Sequence, residues 1–149
     1  MWIAKKIESY KTRESLKVSF TNEMAKEMDK VSKLLFQVEY AIEIMSKELS
    51  ELDQKRMNDE GSEEERSHSA WVALFRKHAD IIQKKKDTAL MAIEESRFWL
   101  GKDNFTKLVK HFDELEIYEG LMESRKYSEA KRQWIKIDAN RPYATAFLE

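Results

Sequence analysis

From Met24 to Leu52, apolar residues follow one another at alternating steps of four and three: Met24, Met28, Val31, Leu35, Val38, Ile42, Met45, Leu49 and Leu52. A strand would need a period of two. Steps averaging about three and a half residues instead keep one helical seam facing a partner and impose left-handed supercoiling. The first third of the chain is therefore committed to an α-helix that must bury one face against another rod. Carried backwards, the same register meets Tyr10, Ile7 and Ile3, but also Glu14, Lys17 and Thr21. Between residues 11 and 23 the seam is interrupted, and Leu16, Val18 and Phe20 alternate instead. That piece reads either as a weak helix whose apolar face has rotated or as a local irregularity.

Around residues 34–45 the apolar face widens, because Leu34, Phe36, Tyr40, Ala41 and Ile44 join the seam. A face that broad is covered by more than one neighbour, which places this segment in the middle of a bundle. The helix is expected to end near Asn58. The stretch NDEGSEEERSHS carries five acids, a glycine and three serines with no apolar residue, so 59–68 reads as an exposed loop. Ser67 or Ser69 can cap a second helix, whose stripe runs through Trp71, Leu74, Phe75, His78, Ile81, Ile82, Ala89, Leu90, Ala92, Ile93 and Leu100.

Gly101 follows the last periodic residue of that stripe and precedes Asp103 and Asn104, both residues that favour helix N-caps. This is the grammar of one helix stopping and another starting, so Gly101 is expected to be a corner. Phe105, Leu108, Val109, Phe112, Leu115, Tyr118, Leu121 and Met122 form a third stripe. Ala130, Trp134 and Ile137 mark a fourth helix over about 128–138, with Ser128 as its cap, stopped by the sequence NRP. The apolar tail YATAFLE is suited to docking on the bundle. Two geometries fit these lengths. In one, helices two and three lie end to end against the first as a long hairpin. In the other, helix three folds back and makes a three- or four-helix core. The broad face at 34–45 favours the second.

Composition agrees. The chain of 149 residues has 3 Gly and 1 Pro, leaving helix breakers nearly absent, and its 37% charged residues suit helices with much solvated surface. Sixteen aromatic residues exceed what a two-stranded seam can pack and call for a wider core. The expectation is thus an all-α fold: a long N-terminal coiled-coil helix packed antiparallel in a three- to four-helix bundle. Residues 1–30 form a coiled-coil arm and 31–149 the bundle. No apolar run reaches the roughly 18–20 residues of a membrane span, and the first residues lack the apolar core of a signal peptide.

Chemistry-bearing patterns are sparse. With no cysteine, disulfides, thiolate metal sites and cysteine nucleophiles are excluded, and a reducing, cytoplasmic setting is expected. Glu65–His68 is a lone Glu-x-x-His in the acidic loop, whereas di-iron bundles use two such pairs in the core. His78 lies on an apolar stripe, as a satisfied core histidine would. His111 is expected at a helix surface edge, paired with Glu114. No nucleophile elbow, phosphate-cradling glycine loop or HExxH occurs. Neither a metal nor any other cofactor is implied, and no catalytic residue is proposed.

Residues ALMAIEESRFWLGKDNFTKLVKHFDEL, with the charged helix before them, resemble bacterial and phage coiled-coil bundle proteins. Those pair a Lys/Glu-rich N-terminal helix with a bundle containing an aromatic–Leu, break, helix corner. Many of them also carry an N-terminal membrane span, which this sequence lacks, and the resemblance implies no activity. The leading expectation is a non-enzymatic scaffold, adaptor or inhibitor. Ile3, Ile7, Tyr10, Met24, Met28 and Val31 would meet a protein partner, in the first instance a second copy of the chain. An alternative is nucleic-acid binding. From residue 121 to 141 there are six basic and three acidic residues, and Lys84, Lys85, Lys86, Arg125, Lys126, Arg132 and Lys136 are the candidate phosphate contacts. A metal- or cofactor-dependent bundle enzyme is the third reading.

Overall fold

The computed structural model describes the backbone of residues 2–142 and the side chains of residue 9 and of 11–142. Among the described residues there are four helices and no strands. These are α1 (Trp2–Met57), α2 (His68–Glu95), α3 (Arg97–Glu123) and α4 (Tyr127–Ala139). The α1 helix runs unbroken through residues 11–23, so the interruption of the seam there is not a break in the helix. Its 56 residues span about 84 Å.

Side-chain pairings fix the topology. Glu48 meets His78 near the loop end of α1, while Ser96 Oγ donates to Glu27 at 2.6 Å farther back, so α2 runs antiparallel to α1. Glu39 meets His111, and Ser46 meets Tyr118, each pair separated by 72 residues, so α3 runs parallel to α1. The start of α4 touches Asp53 through Tyr127, and the residue beyond its end, Arg141, reaches Glu39; α4 therefore returns antiparallel. The result is an up-down-up-down bundle, the compact one of the two geometries.

The corner that makes this possible is Gly101, at φ 76° and ψ 165° inside the span of α3. That conformation is essentially closed to residues with a Cβ. The chain continues close to the line of α2 through Leu100, reverses at Gly101, and α3 lies back along the bundle. At the other end Ser67 caps α2 by accepting from the Ala70 amide at 3.1 Å.

Val31, Leu35, Val38, Ile42, Met45 and Leu49, the central and C-terminal part of the seam, are wholly buried. They meet Trp71, Phe75, Ile82, Ala89 and Ile93 of α2, and Leu108, Phe112, Leu115 and Tyr118 of α3. Ala130 and Ile137 of α4 close the core. The broad face is covered as expected at Leu34, Phe36 and Ala41, but Tyr40 and Ile44 remain exposed because α2 and α3 do not wrap the whole cylinder. The tail 143–149 lies outside the described residues.

Candidate functional site

Toward its N-terminus α1 outruns its companions. Residues 11–22 are exposed at every position. Leu16 is 65% exposed, and Val18 and Phe20 are exposed with it. Leu16 and Phe20 are four residues apart and share a face, whereas Val18 points to the other side. Phe20 meets the Gly101 corner: its ring centroid lies 5.5 Å from Trp99 and 6.3 Å from Phe98. Phe98 is itself 75% exposed. A shallow open groove beside Trp99 is lined by Arg13, Leu16, Lys17 and Phe20. Large apolar side chains clustered at one junction are unusual on a self-sufficient surface.

The candidate partner contacts divide along α1. Val31 belongs to the chain's own core and presents nothing to a partner, because α2 and α3 already cover it. Met28 packs against the same core, and Met24 is half-buried. Ile3, Ile7 and Tyr10 have side chains outside those described. Leu16 and Phe20, which fall off the 4-3 register, and Phe98 of α3 are not among the partner contacts the sequence suggests. For Leu16 and Phe20 the signal is the alternation itself, bulky apolar residues continuing where the seam stops; Phe98 has no such signal.

The candidate phosphate contacts are similarly dispersed. Lys84, Lys126 and Arg132 are exposed. Lys86 is not a surface cation: only 6% exposed, it pairs with Glu119 at 3.1 Å and Glu116 at 3.2 Å and lies over the Phe112 ring. The helical repeat turns Lys86 inward, on the same stripe as Ile82 and Ala89, where α3 supplies acids. Burial pushes the Glu119 carboxyl above the ordinary carboxylate range, with Lys86 opposing. Lys136 pairs with Glu114 at 3.2 Å. Hydrogen bonding from Gln133, more than Lys136, holds Glu114 below its ordinary value.

Two histidines prove structural in placement. His78 is buried and paired with Glu48. His111, expected at a surface edge beside Glu114, is instead 4% exposed, with Nε2 3.0 Å from Oε1 of Glu39. The correction follows from topology: α3 lies against α1, so the partner comes from across the bundle and not from the next turn. Glu39 is 1% exposed and also accepts from Arg141 Nε at 3.0 Å. A buried carboxylate held by two cationic-capable partners is a satisfied ion cluster. Among the described residues no group of three or more metal-ligating side chains converges. Nor is any described helix long and apolar enough to cross a membrane.

No family model matches this chain, and neither a curated protein nor a solved structure is significantly similar to it.

Proposed function

We propose that the protein is a non-enzymatic helical interaction module whose N-terminal arm pairs with the arm of a second copy. The observation that carries the reading is the exposed cluster of Leu16, Phe20 and Phe98 at the root of a helix that extends beyond its own bundle. Each such side chain contributes on the order of 1.5–3 kcal/mol when fully buried, so a few of them suffice for stable pairing.

Charge favours a particular orientation. Residues 2–17 contain five basic and two acidic residues, and residues 18–30 two basic and three acidic. Antiparallel arms would set the basic half of each against the acidic half of the other, whereas parallel arms would set like against like. The absence of cysteine suits such a module to a reducing, cytoplasmic setting.

Sedimentation equilibrium tests this. The wild-type chain is expected at twice its 17.8 kDa mass, and the double variant Leu16→Glu/Phe20→Glu at the monomer mass with unchanged helical circular dichroism. Charged substitutions at Ile3 and Ile7 should weaken association in the same way without unfolding the bundle. A wild-type monomer at every concentration, or an unchanged mass for the variants, refutes it.

A further inference from the structure

At the opposite end of α1 from the arm, a cavity of about 650 Å³ opens between the end of α1, the α1–α2 loop and the α3–α4 turn. Arg56, Arg66 and Arg125 all line it, with Asp53, Met57 and Tyr127. We propose that this cavity is a binding site for a phosphate-bearing ligand, with Arg125 as its principal anchor.

Arg125 carries the argument. Its guanidinium stacks on the Trp71 ring, 4.1 Å from the centroid. Its Nε and Nη2 atoms are shielded from water and have no hydrogen-bond acceptor. A guanidinium cannot shed its charge, and its third nitrogen, Nη1, is not shielded in this way and remains for an anion in the cavity. The backbone points the same way. Arg125 sits at φ 57°, in the left-handed region, as the residue closing α3. Its own amide bonds to the Met122 carbonyl and that of Lys126 to the Leu121 carbonyl, the double bond of a helix end that ordinarily selects glycine. A bulky cation therefore occupies a position where glycine would cost less.

The remaining charges leave room for an anion. Among the described residues the one acid lining the cavity, Asp53, already accepts from the Tyr127 hydroxyl at 2.5 Å and lies 3.7 Å from Arg56. Arg66 pairs with Asp59, whose side chain is largely exposed and belongs to the loop. Pairs of that kind are worth little and yield readily to a multiply charged competitor. Three arginines line one space, and their planar guanidinium groups are of the kind that phosphate oxygens accept from. The cavity is larger than a phosphate, and Met57 with the Tyr127 ring gives it apolar wall, so the phosphate would carry an organic part. A small phosphorylated molecule and a nucleic-acid backbone share this chemistry.

The full-length protein in phosphate-free buffer distinguishes the two. Inorganic phosphate, pyrophosphate, ADP and a short single-stranded oligonucleotide are titrated calorimetrically against wild type, Arg125→Gly, Arg66→Gln and Arg132→Gln. Arg125→Gly removes the guanidinium while supplying the residue that its backbone angle prefers, so the helix end is kept. Circular dichroism confirms the fold of each variant. Saturable binding of pyrophosphate or ADP, weakened roughly tenfold or more by Arg125→Gly and Arg66→Gln and unaffected by Arg132→Gln, supports the site and a small-molecule ligand. Oligonucleotide binding with the same variant pattern supports the site with a nucleic-acid source. The proposal is overturned if nothing binds at millimolar concentration, if Arg125→Gly binds as wild type does, or if Arg132→Gln weakens binding as much as the cavity variants, which would mean diffuse surface charge.

Discussion

The same substitution, glycine to alanine, is expected to act with opposite sign at two positions on α3. At Gly101 a Cβ would meet nothing within 4 Å, so no packing clash contributes. The whole effect lies in the backbone, since φ 76° with ψ 165° is a region alanine avoids at a cost of about 1–3 kcal/mol. At Gly120, inside the last turns of the same helix, a Cβ also finds open space. There alanine restricts the unfolded chain and favours helix, a gain of about 0.4–1 kcal/mol. In a domain of this size each kcal/mol moves the melting temperature by roughly 2–4 °C. Gly101→Ala should therefore melt about 2–12 °C lower than wild type, and Gly120→Ala up to about 4 °C higher. Thermal unfolding followed at the helical circular-dichroism band, with urea titration to confirm two-state behaviour, reads both. A Gly101→Ala protein as stable as wild type would refute the reading of this residue as an obligatory corner, and with it the reason α3 folds back.

Lys86→Met should destabilise the bundle by about 3–5 kcal/mol, because Glu119 is left buried without its cation, and adding Glu119→Leu should recover most of the loss; chemical denaturation of the single and double variants measures it, and an unrecovered double variant counts against the pair. Burial, followed by its bond to Asp53, pushes the Tyr127 phenol up to about 12. The neutral phenol is the form the fold favours, so its contribution is complete below the ordinary tyrosine value near 10 and is lost as pH rises towards 12. An ultraviolet titration should lose one late-ionising tyrosine in Tyr127→Phe and keep that of Tyr118, whose phenol burial also pushes up, and a late phase of undiminished amplitude would reassign it. Ile42→Asp sets a carboxylate in a wholly buried seam position, a penalty of several kcal/mol against a total stability of about 5–15 kcal/mol; its helical circular dichroism should be lost, and a folded Ile42→Asp protein would mean the core lies elsewhere.

The seam, the acidic loop and the Gly101 corner were legible because each is a local pattern. A period along a helix, a run without apolar residues and a glycine before N-cap residues all carry their meaning within a few positions. The polar interior was not legible for the same reason. Glu39 meets His111 72 residues away and Arg141 102 residues away, and no spacing rule spans such distances. Within a turn of His111 the acid on its own helix face is Glu114, at i+3, which is why local spacing points there. Lys86 looked like one of three equivalent lysines, although its position on the Ile82–Ala89 stripe turned it inward. The cavity at Arg125 had no sequence signal beyond a basic excess, since its character comes from a left-handed backbone angle and from Trp71 brought in by α2.

The central claim is that one helix does two jobs: from Val31 onward it is the middle of its own bundle, and its exposed stretch over residues 11–22 is proposed to be left for a partner. Hydrogen exchange read by mass spectrometry across a range of protein concentrations tests both halves together. Amides of residues 31–57 should exchange as slowly as those of α2 and α3 at every concentration, while those of residues 11–22 gain protection only as the concentration rises. Rapid exchange at 31–57, or protection of 11–22 that is indifferent to concentration, would contradict it.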